Sequence, residues 1–121
     1  MRNYKTKLLQ TKFQVQLEGV YKKEIESDSQ ISNIFAGFCK ENSFRNWQYF
    51  LNIDTKNGAY AHVSLVYSVF LKRVISQFNY EFHSKNELNI EDKVIIILEV
   101  EALNMKIVDV LDQFNSELKS K

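Results

Sequence analysis

The stretch from Trp47 to Val69, WQYFLNIDTKNGAYAHVSLVYSV, decides the fold. Trp47, Tyr49, Leu51 and Ile53 alternate with Gln48, Asn52 and Asp54, and Phe50 breaks the rule. After a Thr-Lys-Asn-Gly turn, Ala61, Val63, Leu65, Tyr67 and Val69 alternate with Tyr60, His62, Ser64 and Ser68. A period of two places each set on its own face of a pleated strand. Asn57-Gly58 supplies the positive φ angles that a tight hairpin turn needs. A helix through the same residues carries that glycine internally, at a cost of about 1 kcal/mol. The stretch therefore reads as a β-hairpin.

Upstream, Leu9, Thr11, Phe13, Val15 and Leu17 alternate with Gln10, Lys12, Gln14, Gln16 and Glu18. This spacing predicts another strand with one wet face, a bulge at Gly19 and an extended continuation through VYKKEIE. A helix could use Leu9, Phe13, Leu17 and Val20, but Val15 then points to water. Over 27–45 the alternation is lost. Ile31, Ile34, Phe35 and Phe38 predict a short helix or a compact loop, with Ser27 or Asp28 as its cap and Gly37 at its end. Downstream, Phe78, Tyr80 and Phe82 predict a strand. Asn89-Ile-Glu-Asp92 has the form of a helix start, a capping amide followed by acids in the positively polarised first turn. From there apolar residues at 96, 100, 103, 107, 110, 114 and 118 form a helix's buried stripe to about residue 119. VIIIL at 94–98 also reads as a buried strand, which leaves a strand-then-helix alternative open. The sum is one domain, 1–121, of the α+β class: a four-stranded antiparallel sheet with a short helix and one long C-terminal helix. The alternative is an all-α helical bundle.

Composition narrows the setting. Valine and isoleucine number twenty against four alanines, a balance that suits pleated surfaces, although an AT-rich genome also enriches isoleucine. Sixteen basic and fifteen acidic residues are interspersed and leave a net charge of +1. No basic run marks a nucleic-acid footprint, so nucleic acid is not indicated. A single cysteine, Cys39, excludes an intrachain disulfide and a CxxC metal pair. With no apolar leader in MRNYKTKLLQ, the expectation is a cytoplasmic protein. No window approaches a membrane-spanning helix, so no membrane partner is expected.

FQVQ at 13–16 followed by YKKEIE at 21–26, NWQ at 46–48 running into LNIDT at 51–55, and a long helix after NIED resemble the SecB-like chaperones. That family places a four-stranded antiparallel sheet before a long helix. The resemblance implies a non-enzymatic, self-associating protein that binds extended or partly folded polypeptide. This chain departs from the pattern: it has no proline for the family's proline-containing segment, no counterpart of its second helix, and none of the acidity of members that serve secretion.

Catalytic chemistry is not legible. His62 and His83 sit in no metal-binding spacing, Cys39 has no partner in the sequence, and the three glycines are scattered. Glu99 and Glu101 are two apart and cannot face one another on a helix, while Asp109 and Asp112 read as solvated helix charges. No enzyme, cofactor or metal is expected. The excess lies in aromatic residues, and Phe50, Tyr60 and Phe70 fall on the parity that should be wet. Exposed aromatic patches mark association. Phe13, Trp47, Tyr49, Phe50 and Tyr60 are the expected partner-binding residues, on an aromatic sheet face that holds an unfolded or extended protein in a homo-oligomer. The alternative is a small inhibitor or immunity protein, from a mobile element or phage, that grips one folded target.

Overall fold

The computed structural model describes residues 2–39, 47–83 and 88–120, with the side chains of residues 2 and 3 excepted. The chain runs α1 (Arg2–Glu26), β1 (Ile31–Phe38), β2 (Gln48–Thr55), β3 (Ala59–Ser68), β4 (Arg73–Phe82) and α2 (Ile90–Lys119). The four strands form one antiparallel sheet in the order β1-β2-β3-β4. The α+β class and the four-stranded sheet match the sequence expectation. The first two elements exchange identity.

Residues 9–17 are helical, not extended. Leu9, Phe13 and Leu17 satisfy a period of two and a period of four alike, so the alternation carried no choice between strand and helix. Thr11 and Val15 decide it by facing solvent, while Thr6, Phe13, Leu17 and Tyr21 are buried. Gly19 lies inside the helix and marks no bulge. The residues predicted to open a second helix instead close the first. The Ser27 amide and hydroxyl and the Ser29 hydroxyl all donate to the Glu24 carbonyl, one of the orphan acceptors at a helix end. The predicted short helix is β1, with Ile34, Ala36 and Phe38 turned to the core and Phe35 turned away. Residues 40–45 of that expectation lie outside the described part.

The hairpin is present, with Tyr49 opposite Leu65, Leu51 opposite Val63 and Ile53 opposite Ala61. Only Gly58 of the expected Asn-Gly pair takes a positive φ, at 81°. The loop is the three-residue type that ends in a left-handed glycine. Thr55 ties it by accepting from the Ala59 amide and donating to the Ala59 carbonyl. The long helix is continuous through 94–98, with Asn89 accepting from the Asp92 amide at 2.8 Å as its N-cap.

Both helices lie on one face of the sheet and run antiparallel to each other: Lys12 bridges to Glu117, and the amide of Gln30, four residues past the end of α1, donates to Glu99. The core between them is aromatic. Phe114 contacts the rings of Phe13, Phe38 and Trp47 at centroid distances of 5.6, 4.8 and 5.5 Å. Trp47 Nε1 donates to Asn115 Oδ1 at 3.1 Å in the same buried region.

Strand alternation fixes what the sheet edges offer. Cys39 N donates to Gln48 O, which makes 39, 37, 35 and 33 the residues whose backbone groups face β2. Those of Ile34, Ala36 and Phe38 face the free edge, and Gln14 of α1 donates to the Ala36 carbonyl there. The same count through β2 and β3 turns the groups of Val74, Ser76, Phe78, Tyr80 and Phe82 to the opposite free edge, where Asp112 of α2 accepts from the Val74 amide. Each helix thus reaches over one edge of the sheet it covers.

Replacing Asn115 by alanine leaves the buried indole N–H without its acceptor. The expected loss is about 1–3 kcal/mol in urea unfolding, with the fold retained by circular dichroism.

Candidate functional site

Two helices cover one face of a four-stranded sheet, and no described element covers the other, which is the open face. The register writes that open face in rows. One row crosses the sheet as Phe35, Asn52, His62 and Asn79. Beside it run Gly37, Phe50, Ser64 and Gln77 on one side, and Asn33, Asp54, Tyr60 and Glu81 on the other. At strand spacings of about 4.8 Å, each row is about 14 Å long.

The rows carry two kinds of chemistry. Near β1, the rings of Phe35 and Phe50 lie 5.7 Å apart, and Phe35 is 66% exposed. The Phe50 ring leans across the strand over Gly37: a Cβ there would stand 3.8 Å from Phe50 Cε1. The middle is polar and internally bonded. Asn52 Oδ1 accepts from the Tyr60 hydroxyl at 2.6 Å and from His62 Nδ1 at 2.5 Å. The proton is therefore on Nδ1, and Nε2 faces the Ser64 hydroxyl at 3.4 Å. These groups hold one another in place.

The five expected partner residues divide between the two faces. Phe50 and Tyr60 stand on the open face, half-buried. Phe13, Trp47 and Tyr49 do not: all three are buried in the core beneath the helices. Phe13 belongs to α1, and its partner is Phe114. Trp47 and Tyr49 share the inward parity of Leu51 and Ile53, and that face is the one the helices fill. Their size reflects core packing. Phe70 leaves the sheet altogether and projects from the β3–β4 turn at 93% exposure, beside Val69 and Leu71.

Sequence reading missed Phe35 because its segment was read as a short helix or compact loop; once it is a strand, Gly37 pairs with Phe50 and Phe35, two residues earlier, falls on the same face. The Asn52–His62 contact was missed because it depends on hairpin register. Counting outward from the Gly58 turn reaches that pair.

Several carboxylates of α2 have structural partners. Glu99 accepts from the Gln30 amide and Asp112 from the Val74 amide. Glu101 takes the Tyr80 hydroxyl at 3.5 Å. Burial, reinforced by the Glu101 charge, pushes the Tyr80 hydroxyl up to about 12. Among the described residues, no group of three or more His, Cys, Asp or Glu side chains gathers where a metal ion could sit, and no helix is long and apolar enough to cross a membrane. A cleft of about 500 Å³ runs between α1 and the β1 edge, lined by Gln10, Gln14, Val15 and Glu18 against Ala36 to Phe38.

No protein-family model, no curated protein and no solved structure matches this chain.

Tyr49 also sets a pH response. Its hydroxyl lies 2.7 Å from that of Tyr21 and donates to Gln14 Oε1 at 3.1 Å. Burial raises both hydroxyls above the ordinary 10.0, and the two reinforce this for Tyr21. A raised folded value means that folding holds the proton. The stabilisation is complete below pH 10 and is lost progressively as the pH rises past it, where the unfolded tyrosines ionise. Urea midpoints are expected to hold below pH 10 and fall above it; in Y21F/Y49F that fall is shallower.

Proposed function

We propose that the chain is a non-enzymatic polypeptide-binding protein of the chaperone-like kind that the SecB-like resemblance implies, holding an unfolded or extended protein on the open face of its sheet. The observation that supports this is the Phe35–Phe50 pair standing beside the bonded Asn52, Tyr60 and His62 groups, on a face that neither helix covers. Apolar side chains of a client bury the two rings, at about 25 cal/mol per Å² removed from water. Asn33, Gln77 and Asn79 offer amides to its backbone at the margins. The β1 edge beside the cleft adds outward main-chain groups, those of Phe38 within the cleft and those of Ile34 beyond it, for an extended segment to pair with. The strand residues of this face include Asp54 and Glu81 against Arg73, a balance unlike the cationic surround that a phosphate backbone requires. Self-association and a cytoplasmic setting belong to the same proposal, the latter supported by the single cysteine.

A second reading rests on the β3–β4 turn. Val69, Phe70 and Leu71 project as an apolar tip behind Lys72, whose φ of 57° is the one positive value at a non-glycine among the described residues. Such a tip suits insertion into a pocket of one folded target, as an inhibitor or immunity protein would use it.

One assay separates the two. Under the first reading the protein suppresses light scattering by several unrelated unfolding proteins, and F35S/F50S loses most of that effect while F70S keeps it. Under the second it protects none of them. Equal suppression by the wild type and F35S/F50S removes the open face from consideration.

A further inference from the structure

Three elements meet at one end of the molecule: α1 begins there, α2 ends there, and β3 turns into β4. Lys12 bridging to Glu117, and Lys119 donating to the Tyr67 hydroxyl at 2.8 Å, fix that arrangement. The β3–β4 turn presents Val69, Phe70 and Leu71, exposed at 72%, 93% and 50%. The Ser68 carbonyl accepts from the Lys72 amide at 2.7 Å, and the Ser68 hydroxyl accepts from the Leu71 amide at 3.0 Å. The turn is closed by these bonds, and its apolar side chains stand outside it. Lys72 completes it at a φ of 57°, in the left-handed region that favours glycine, so a cation holds the position where glycine is least strained.

Cations stand on both sides of this tip. Register puts Arg73 opposite Ser68 on the open face of the sheet. On the helix side, Lys119 lies 4.1 Å from the centre of the Tyr67 ring. Across the width of the sheet, the first turns of α1 add Lys5 and Lys7, with Tyr4 and Leu8 exposed beside them. The acids at this end are Asp109, Asp112 and Glu117. Two of them are engaged, Asp112 by the Val74 amide and Glu117 by Lys12. The opposite end has the reverse balance, with Glu24, Glu26, Asp28, Asp54, Glu91 and Asp92 against Lys22, Lys23, Lys56 and Lys93. A net charge of +1 conceals this separation.

We propose that the basic end docks on an anionic lipid surface, with Val69, Phe70 and Leu71 dipping into the headgroup region and Lys72, Arg73 and Lys119 among the lipid phosphates. Among the described residues no helix is long and apolar enough to cross a membrane, and that was the ground for expecting no membrane partner. Resting on a bilayer is a different act, which needs an apolar wedge and a cationic surround. Three features favour a bilayer over another partner. First, the tip and the Tyr4–Leu8 pair are separate apolar points at one end of the molecule. A flat surface takes both, whereas a single pocket on a folded target takes one. Second, a nucleic acid would satisfy the cations through its phosphates but offers no apolar matter to Phe70. Third, the charges that draw the basic end to an anionic surface turn the acidic end away from it, so the molecule arrives oriented.

This surface leaves the Phe35–Phe50 pair untouched, so it stands or falls apart from the polypeptide-binding reading, and it competes with the single-target reading of the same tip. The test is flotation of the full chain with vesicles of phosphatidylcholine alone and of equal parts phosphatidylcholine and phosphatidylserine. The protein is expected to float with the mixed vesicles, to stay behind with phosphatidylcholine alone, and to come off as salt rises. F70S and K72E/R73E should each weaken binding at least about tenfold, with circular dichroism unchanged. F35S/F50S should bind as the wild type does. The emission that F70W adds to that of the buried Trp47 should shift to the blue on the mixed vesicles, which marks insertion of the tip and not contact of charges alone. Absence of binding to the mixed vesicles overturns the proposal, whether the tip then captures one folded protein or the cations retain duplex DNA. So does vesicle binding that F70S leaves unchanged, or an F70W emission that the vesicles do not move.

Discussion

Phe114 is the point on which the molecule turns. Its ring meets Phe13 of α1, Phe38 of β1 and Trp47 at the start of β2, so one side chain joins both helices to the sheet. The pairs with Phe13 and Trp47 are edge-on, a geometry that adds about 0.5–1.5 kcal/mol each beyond the area they bury. The larger consequence is steric. With both helices gathered on that cluster, nothing in the described chain is left to cover the other face of the sheet, and the open face is the direct result. Three of the residues that sequence reading placed at a partner surface are consumed in making this cluster or its border.

The sheet's edges are managed by the same two helices. Gln14 satisfies Ala36 on one side and Asp112 satisfies Val74 on the other. An unpaired edge invites pairing with another chain, and covering it is one of the means by which proteins avoid that. Here the cover is partial at each edge. Beside β1 it leaves a cleft, and along the second half of β4 it leaves a run of groups that are unpaired among the described residues, over stacked rings. The stretches of edge left bare by the described chain are the places where two helices run out of length.

Much of this was legible in the residues. The long helix was readable because its buried stripe repeats at three and four over six turns, a pattern no strand shares. The hairpin was readable because Gly58 sits between two alternating runs. The first two elements were not, for reasons specific to them. Leu9, Phe13 and Leu17 fit both periods, and the polar Gln and Lys between them are good helix formers that also suit a wet strand face. Ile31, Ile34, Phe35 and Phe38 mimic a helix stripe, yet three of them face the core from a strand and Phe35 faces out. The parity of Phe50 and Tyr60 was right because it follows from the hairpin alone. The outer stripe of α2 had a signal too: five consecutive apolar residues, 94–98, cannot all face inward on a helix, and Val94, Ile95 and Leu98 do not.

The order of elements has a kinetic consequence. Each strand pairs with its neighbour in sequence, so the sheet assembles through short closures that cost little chain entropy. The contact between α1 and α2 joins residues as far apart as Lys12 and Glu117, 105 positions along the chain. Loop-closure entropy grows with the logarithm of that separation, which sets the closure of α1 against α2 after the meander has formed. Until it does, the inner faces of Tyr49, Leu51 and Ile53 are bare on the β1 side. The N-terminal helix is then the clasp of the fold: its grip governs how fast the native state comes apart far more than how fast it forms.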